Sequence, residues 1–267
     1  MKKTNKSIKS TYNSIFKKGY TQVYTVNERK HSDGKNKDLK FTEEMLASLH
    51  AVSWKNKKVL EVGCGTGLFS YAAATRGAKI IGMDYIPEAI KEAEATYNHP
   101  NLEYKVGDAS SIKGKFDVIV SIGTLEHLDD PLKILKSFKR HLLPGGVIVT
   151  TSPNWMNPRG YVLQALLHLF DAPITLADLH YLTPVEFEEF AKKLKMSLTW
   201  KTFDHDWGHG ERMITDLKKR LPNVLRDAKL PNKQANIDKF IDWLEKHVLS
   251  FDHRSKFSGA TGIYVMK

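Results

Sequence analysis

The 267-residue sequence predicts an α/β protein built on a doubly wound, mostly parallel sheet. Three observations support this fold class. Short runs rich in valine and isoleucine alternate with helical patterns from about residue 55 onward. These runs are almost continuously apolar, as expected for strands that are buried on both faces. A glycine-rich turn at residues 63–67 follows the first run, where open α/β sheets commonly bind ligands.

The apolar runs predict seven strands in chain order: Lys58–Val62, Lys79–Met83, Leu102–Val106, Phe116–Ser121, Val147–Thr151, Met196–Phe203 and Thr261–Met266. The segments between the early strands predict helices over Leu68–Thr75, Pro87–Tyr97 and Asp129–His141. Asp129 or Asp130 is expected to cap the last of these helices. We also expect a turn at Pro144–Gly146. A capping box at residues 183–186 predicts a helix that ends near Lys195.

Two stretches interrupt the alternation, at about residues 154–182 and 204–258, and we interpret them as helical lid insertions within a domain spanning residues 41–267. The second contains an amphipathic stripe that we expect to pack in the core or the lid: Ile237, Phe240, Ile241, Leu244 and Val248. Residues 205–211 are rich in possible metal ligands. Glycines between them favour a mobile lid loop instead.

The formal net charge of +11 is concentrated in residues 1–40, which contribute +8. We expect this basic N-terminal segment to be flexible and solvated. A docking role on RNA, an acidic partner or a membrane surface is the alternative. Because the rest of the chain is nearly balanced in charge, nucleic acid is a possible partner but is not favoured.

The sequence contains neither an apolar stretch long enough to span a membrane nor a pair of cysteines that could form a disulfide. The longest apolar stretch, Tyr161–Phe170, is about half of the roughly 20 residues that a membrane-spanning helix needs. No apolar signal core follows the basic N-terminus. Cys64 is the single cysteine, which excludes an internal disulfide and a cysteine-rich zinc site. We therefore expect no transmembrane segment and a cytoplasmic location.

The glycine-rich turn reads EVGCGTG over residues 61–67. A dinucleotide fingerprint would require its third glycine at position 68, where the chain has Leu68. A phosphate-binding P-loop is excluded because no Lys-Ser/Thr pair follows. Glu61, two residues before the first glycine, would crowd a pyrophosphate but would suit a ligand that carries a positive amine.

The pattern Glu61-x-Gly63-x-Gly65-x-Gly67 resembles the first motif of class I S-adenosylmethionine-dependent methyltransferases. Further segments match that family in order: IIGMDY, VGDA, FDVIVSIGTLEHLDD and PGGVIVTTSPN. The resemblance covers about residues 55–200 and the C-terminal strand. It implies a Rossmann-like doubly wound, mostly parallel seven-stranded sheet, and S-adenosylmethionine as cofactor.

The resemblance also implies which residues bind the cofactor. Asp84 would accept the ribose hydroxyls and Asp108 the adenine amino group, while Glu61 would lie beneath the methionine amino group. Ser121 and Ile122 would line the methionine end. The complete set of cofactor-binding candidates is Glu61, Gly63, Cys64, Gly65, Gly67, Asp84, Tyr85, Ile86, Asp108, Ala109, Ser121 and Ile122.

The segment LEHL at residues 125–128 resembles the small-molecule branch that includes ubiquinone-type O-methyltransferases. His127 is a candidate catalytic base there, because an imidazole ordinarily titrates near neutral pH. His180 is a second catalytic candidate, since related sequences present a histidine just before the capped helix. The candidate substrate-binding residues are Asn154, Trp155, Arg159 and Tyr181.

Some members of that branch carry a further acidic residue three positions before the glutamate and use a metal. Gly123 occupies that position here, so no metal site is predicted. The sequence thus predicts methyl transfer to a small-molecule acceptor, at oxygen. Two alternatives stay open: an RNA or protein methyltransferase guided by residues 1–40, and a cofactor-binding partner protein without turnover. The sequence predicts neither the acceptor's identity nor the oligomeric state.

Overall fold

The computed structural model describes residues 41–175, 178–249 and 254–267. The predicted basic segment at residues 1–40 lies outside this range. The strands are β1 (Lys58–Val62), β2 (Lys79–Asp84), β3 (Leu102–Val106), β4 (Phe116–Ser121), β5 (Leu142–Pro153), β6 (Leu198–Phe203) and β7 (Thr261–Met266). The α-helices are α1 (Glu43–Leu49), α2 (Leu68–Thr75), α3 (Pro87–Thr96), α4 (Pro131–Arg140), α5 (Pro158–Phe170), α6 (Pro184–Leu194), α7 (His205–Gly208), α8 (Gly210–Asp227) and α9 (Gln234–His247).

The strands form a seven-stranded sheet in the order β3-β2-β1-β4-β5-β7-β6. Parallel pairing joins β1 to β2 and β4, β2 to β3, and β4 to β5. Only β7 runs against its neighbours, pairing antiparallel with β5 and β6. The predicted Rossmann-like, mostly parallel fold is therefore confirmed.

Each face of the sheet is covered by its own apolar cluster, which explains why the central strands are apolar on both sides. On one face, Leu60 and Ile119 pack with Phe138 of α4 and Phe187 of α6. On the other face, a second cluster includes Val59, Val120 and residues of α1 and α2. The sheet is thus the middle layer of three, and its strand ends are left to form loops.

The prediction of a separate turn at Pro144–Gly146 is wrong. These residues belong to β5, which begins at Leu142. The pairing of β4 with β5 shifts register between Phe116 and Val118. Gly145 adopts a φ of +73° within this irregular start. An irregular pairing of this kind keeps the backbone in the sheet while it bends, so turn-forming residues occur inside a strand.

The two predicted insertions contain most of the remaining helices. Helices α5, α8 and α9 contribute to a third apolar cluster, separate from those on the sheet. Within the predicted stripe, Ile237, Ile241 and Leu244 are buried and Phe240 packs against them. The amphipathic pattern of α9 is therefore used for packing between helices. No helix in the described ranges is long and apolar enough to cross a membrane.

The prediction of a loop at residues 205–211 is wrong, since α7 and the start of α8 occupy it. The side chains of this segment bind the chain near residues 254–258. His205 Nε2 lies 2.9 Å from the Ser255 carbonyl oxygen, and His209 Nε2 lies 2.8 Å from that of Ser258. These contacts give the histidines partners within the fold.

The capping box of α6 offers a test of local stability. The Thr183 hydroxyl accepts the N–H of Val185, and Glu186 Oε2 accepts the Thr183 N–H at 2.7 Å. We expect Thr183→Ala to lower the free energy of unfolding by about 1 kcal/mol, as loss of an N-cap usually does. Urea denaturation followed by circular dichroism measures this. Thr183→Ser keeps the hydroxyl and should stay close to wild type; equal loss in both variants would contradict a capping role.

Candidate functional site

The glycine turn connects β1 to α2 in a backbone conformation that residues with a Cβ rarely adopt. Gly63, Gly65 and Gly67 have φ values of +81°, +52° and +86°. A Cβ on Gly63 would lie 2.5 Å from Thr124 Oγ1, and one on Gly67 would lie 2.2 Å from the Tyr104 hydroxyl oxygen. The turn therefore packs directly against the segment after β4, and glycine is required both for conformation and for space.

Asp84, the last residue of β2, binds this turn. Its Oδ2 accepts the Gly65 N–H at 2.9 Å, and its Oδ1 accepts the Ile86 N–H at 3.0 Å. Burial raises the pKa of Asp84, and the backbone donors oppose that rise. The carboxylate thus joins the ends of β1 and β2. Each carboxylate oxygen has a further lone-pair site, so capacity to accept ligand hydroxyls is retained.

Glu61 lies at the end of β1 and is only 2% exposed. The Ser70 hydroxyl of α2 donates to its Oε2 at 2.5 Å. Burial raises the pKa of Glu61 to about 8, while the Ser70 hydrogen bond lowers it and the charge of Asp84 raises it further. The structure gives Glu61 a contact inside the fold that the sequence pattern did not predict.

The other cofactor candidates surround the same strand ends. Asp108 follows β3, and its Oδ1 accepts the Ser110 N–H at 2.8 Å. Ile86, Ala109 and Cys64 are buried, whereas Tyr85 and Ile122 are partly exposed. Burial raises the pKa of Tyr85 to about 12 and that of the Cys64 thiol well above its usual range.

Ser121, which with Ile122 is expected to line the methionine end, directs its side chain into the sheet. It is fully buried, and its hydroxyl donates to the Val62 carbonyl oxygen at 3.0 Å. The Thr150 hydroxyl in turn donates to the Ser121 carbonyl oxygen at 2.8 Å. The Ser121 side chain therefore ties β4 to β1 within the sheet, and Thr150 ties β5 to β4.

The two candidate catalytic histidines lie on adjoining segments. His127 closes a 3-10 turn at Leu125–His127, just after β4, and its Nδ1 is 3.3 Å from Asp178 Oδ1. His180 Nε2 is 3.2 Å from the Asp129 carbonyl oxygen. The Glu126 carbonyl oxygen accepts the N–H of both Leu179 and His180, at 2.8 and 3.1 Å. These bonds fix the Asp178 segment against the turn that carries His127.

The predicted substrate-binding residues are mostly internal. Asn154 is fully buried, and its amide donates to the carbonyl oxygens of Phe257 and Gly259, at 3.0 and 2.7 Å. Trp155 and Arg159 are also buried, and Arg159 lies over the Trp155 ring at 5.7 Å. Tyr181 is partly exposed and meets the Trp155 ring edge-on. Asn154 therefore has a structural role that the sequence did not predict.

Sequence reasoning missed two acidic residues that lie beside the segment after β4: Asp178, which contacts His127, and Glu44, which lies beside Gly123. Asp178 lies in the first insertion, where no local pattern marks it as a histidine partner. Glu44 comes from α1, and its Oε1 accepts the Thr151 hydroxyl at 2.5 Å. That carboxylate lies beside Gly123, where a Cβ would be 3.6 Å from Glu44 Oε1. No group of three or more potential metal ligands occurs in the part of the chain that the structure describes.

The raised pKa of Glu61 predicts a pH-dependent stability. Its carboxyl stays protonated in the folded state up to about pH 8 but ionises near pH 4.5 when unfolded. Stability from the neutral carboxyl is therefore complete below about pH 4.5 and is lost as the pH rises through 8. Between pH 5 and pH 8, wild type should lose about 1 kcal/mol or more relative to Glu61→Gln.

Urea denaturation at the two pH values measures this difference. Ser70→Ala keeps the carboxyl but removes the hydrogen bond that lowers its pKa. It should therefore retain the pH dependence and extend it to higher pH. Parallel stability profiles for wild type and Glu61→Gln would show that Glu61 does not titrate in this range.

Comparison with known proteins agrees with this arrangement. Residues 38–211 match the protein family described as "Methyltransferase domain". A ubiquinone biosynthesis O-methyltransferase of Psychrobacter arcticus is 34% identical over 148 residues, covering 51% of this chain and 57% of that protein. The enzyme of the same name from Pseudomonas putida W619 is 36% identical over 121 residues, which cover 43% of this chain and 52% of that protein. The chain thus matches little more than half the length of these curated relatives.

Solved structures show the same fold at lower identity. An S-adenosylmethionine-dependent methyltransferase from Mesorhizobium loti superposes with a TM-score of 0.52 and 14% identity, covering 82% of this chain and 95% of that one. A second such enzyme, from Archaeoglobus fulgidus, superposes with a TM-score of 0.51 and 20% identity, covering 80% of this chain and 88% of that one. With the match over residues 38–211, the resemblance to class I S-adenosylmethionine-dependent methyltransferases is confirmed, and the chain belongs to the methyltransferase domain family.

Proposed function

We propose that this methyltransferase transfers a methyl group from S-adenosylmethionine to a hydroxyl oxygen of a small molecule. Its relatives named ubiquinone biosynthesis O-methyltransferases favour oxygen as the acceptor atom. The observation that carries the proposal is the contact between His127 and Asp178, 3.3 Å apart at the carboxyl end of β4. A hydroxyl acceptor needs a proton acceptor beside it, and we assign that role to His127 with Asp178 as its partner.

The residues at the strand ends fit S-adenosylmethionine as the cofactor. The turn at Gly63, Gly65 and Gly67 presents backbone without side chains, so a ligand can approach closely. Asp84 and Asp108 add carboxylates that can accept hydrogen bonds from ribose hydroxyls and from an adenine amino group. Apolar contact for the adenine would come from Tyr85 and Ile86. When bound, the cofactor supplies a methyl group activated by its positive sulfur.

The protein's own residues supply orientation and proton transfer. Asp178 holds the His127 ring through Nδ1, which directs the other ring nitrogen, Nε2, to the role of proton acceptor. The Glu126 carbonyl oxygen keeps the Asp178 segment in register with His127. We assign contacts with the methyl acceptor to His180 and Tyr181. The His180 ring lies against the Asp129 carbonyl oxygen. Packed helices of the two insertions would limit access of water.

Cofactor binding provides the first test of this function. We expect wild type to bind S-adenosylhomocysteine in calorimetric titrations and Asp84→Ala to lose that binding. The substitution removes the ribose acceptor and also the partners of the Gly65 and Ile86 N–H groups. Asp242→Ala, an exposed site on α9, serves as the control and should bind normally. Failure of wild type to bind would contradict the proposed cofactor.

Loss of the base provides the second test. His127→Ala should lower kcat by about 10²- to 10⁴-fold while leaving S-adenosylhomocysteine affinity unchanged, because the imidazole acts only on the acceptor proton. Asp178→Asn should give a smaller decrease in kcat. Turnover can be followed as S-adenosylhomocysteine release with a panel of small phenols. His168→Ala, exposed on α5, is the matched control; unchanged turnover in His127→Ala would exclude it as the base.

A further inference from the structure

A strongly basic surface lies where helices α4 and α6 end. A depression of about 400 Å³ is present between the last turns of the two helices. No acidic residue of the described ranges lines it. Its charged lining residues are all basic and exposed: Lys136, Lys139, Arg140, Lys193 and Lys195. The two helix ends together therefore concentrate positive charge around one depression.

A second depression, of about 480 Å³, adjoins the first and shares Lys139 and Lys195 with it. It adds two exposed lysines, Lys115 just before β4 and Lys267 just after β7. We call the two depressions together the basic groove. Because β4 begins beside the groove and ends at the edge that carries the glycine turn, the six-residue strand separates them by roughly 20 Å.

Most charges in the basic groove have no acidic partner. Lys193 lies 3.5 Å from Glu189, one turn earlier on α6. Four further cations form no ion pair within the described residues, namely Lys136, Arg140, Lys195 and Lys267. Like charges that are grouped in this way repel one another, and a bound polyanion would relieve that repulsion.

The basic groove is not the result of a surface that is basic throughout. Outside residues 1–40 the chain has a net charge of only +3, whereas seven basic residues line the groove. The remainder of residues 41–267 therefore carries a net charge of −4. A basic stripe on an otherwise acidic domain is the electrostatic pattern expected of a surface that binds a polyanion.

Two lysines of the basic groove indicate which kind of anion fits. Lys139 Nζ donates to the Leu194 carbonyl oxygen, and Lys115 Nζ donates to that of Arg140. These bonds satisfy carbonyl groups at the ends of α6 and α4, which would otherwise be acceptors. A peptide chain brings backbone N–H groups that need acceptors, whereas a phosphodiester brings only acceptor oxygens. The groove therefore suits phosphates better than an acidic peptide.

The concave shape of the basic groove also favours a flexible strand. A bilayer surface is flat on this scale and would contact the rim of the depressions more than their lining. A single nucleic-acid strand can follow the groove and place successive phosphates against it. Leu143, Pro144 and Met196 also line the second depression and provide apolar contact for the faces of bases.

We propose that the basic groove is a docking surface for the phosphate backbone of a single strand of nucleic acid. The phosphates contact the four cations that lack an ion pair, and the contacts do not depend on base sequence. The docked strand is an anchor and not the methyl acceptor, because the length of the sheet separates the groove from the glycine turn. The proposal is therefore independent of the proposed function.

Fluorescence anisotropy of the full chain with a labelled oligouridine of about 20 nucleotides tests the proposal. We expect binding that weakens as the salt concentration rises, because cations released from the phosphates must be recaptured. Lys136→Glu/Lys195→Glu should weaken binding on the order of tenfold at about 0.1 M salt. It should also lower the slope of log Kd against log salt by about 1.4, or ~0.7 for each lost phosphate contact.

Lys219→Glu/Lys233→Glu is the matched control. Both lysines are exposed, on α8 and just before α9, and lie outside the basic groove. The control changes the net charge by the same amount and should weaken binding by less than about twofold, since salt screens distant charges. Residues 1–40 are present in every protein compared, so their contribution to binding stays constant. Circular dichroism checks that each variant folds, and Lys136→Gln/Lys195→Gln replaces the glutamate variant if that one does not.

The outcomes separate the basic groove from other sources of binding. Absence of oligouridine binding, or equal weakening in the groove variant and the control, would overturn the proposal. Groove-dependent binding of polyglutamate or of phosphatidylserine vesicles, with oligouridine binding unchanged in the groove variant, would also overturn it. S-adenosylhomocysteine affinity should be the same in wild type and the groove variant, so loss of the docking surface leaves the proposed function intact.

Discussion

The parallel pairing of β1 with both β2 and β4 is the constraint on which the site depends. Because parallel strands end at the same edge, the glycine turn after β1, Asp84 of β2 and the segment after β4 are brought together there. The Asp84 carboxylate then joins two of these ends through the N–H groups of Gly65 and Ile86. A register slip in either pairing would separate the residues that the proposed cofactor needs.

The edge of the sheet is acidic although the chain carries a net charge of +11. Glu61, Asp84, Glu126 and Glu44 all lie there, and burial is the main cause that raises the pKa of each. Burying a negative charge is costly, and hydrogen-bond donors offset part of that cost: Ser70 for Glu61, the Gly65 and Ile86 N–H groups for Asp84, and Thr151 for Glu44. The local charge, rather than the overall charge, therefore indicates which ligand this edge accepts.

Polar residues of the helical insertions mainly form hydrogen bonds within the fold, and few of them are exposed to a ligand. Asn154 and Asn157 donate their amides to the Gly259 carbonyl oxygen, at 2.7 and 3.2 Å, and His209 contacts the Ser258 carbonyl oxygen. These bonds attach the start of the first insertion and the start of α8 to the segment before β7. Polar residues after β5 are thus used to hold the helices over the strand ends, where Asp178 reaches His127.

Local patterns in the sequence determined the strands, the glycine turn, the capping box of α6 and the position of Asp84, because each depends on residues close together in the chain. The strand order and the antiparallel pairing of β7 were not predicted from the sequence and are shown by the tertiary structure. Only the tertiary structure placed Glu44 beside Gly123 and Asp178 beside His127, and buried Asn154. These contacts join segments far apart in the chain. Packing of whole helices decides them, and no spacing rule in the sequence records that packing.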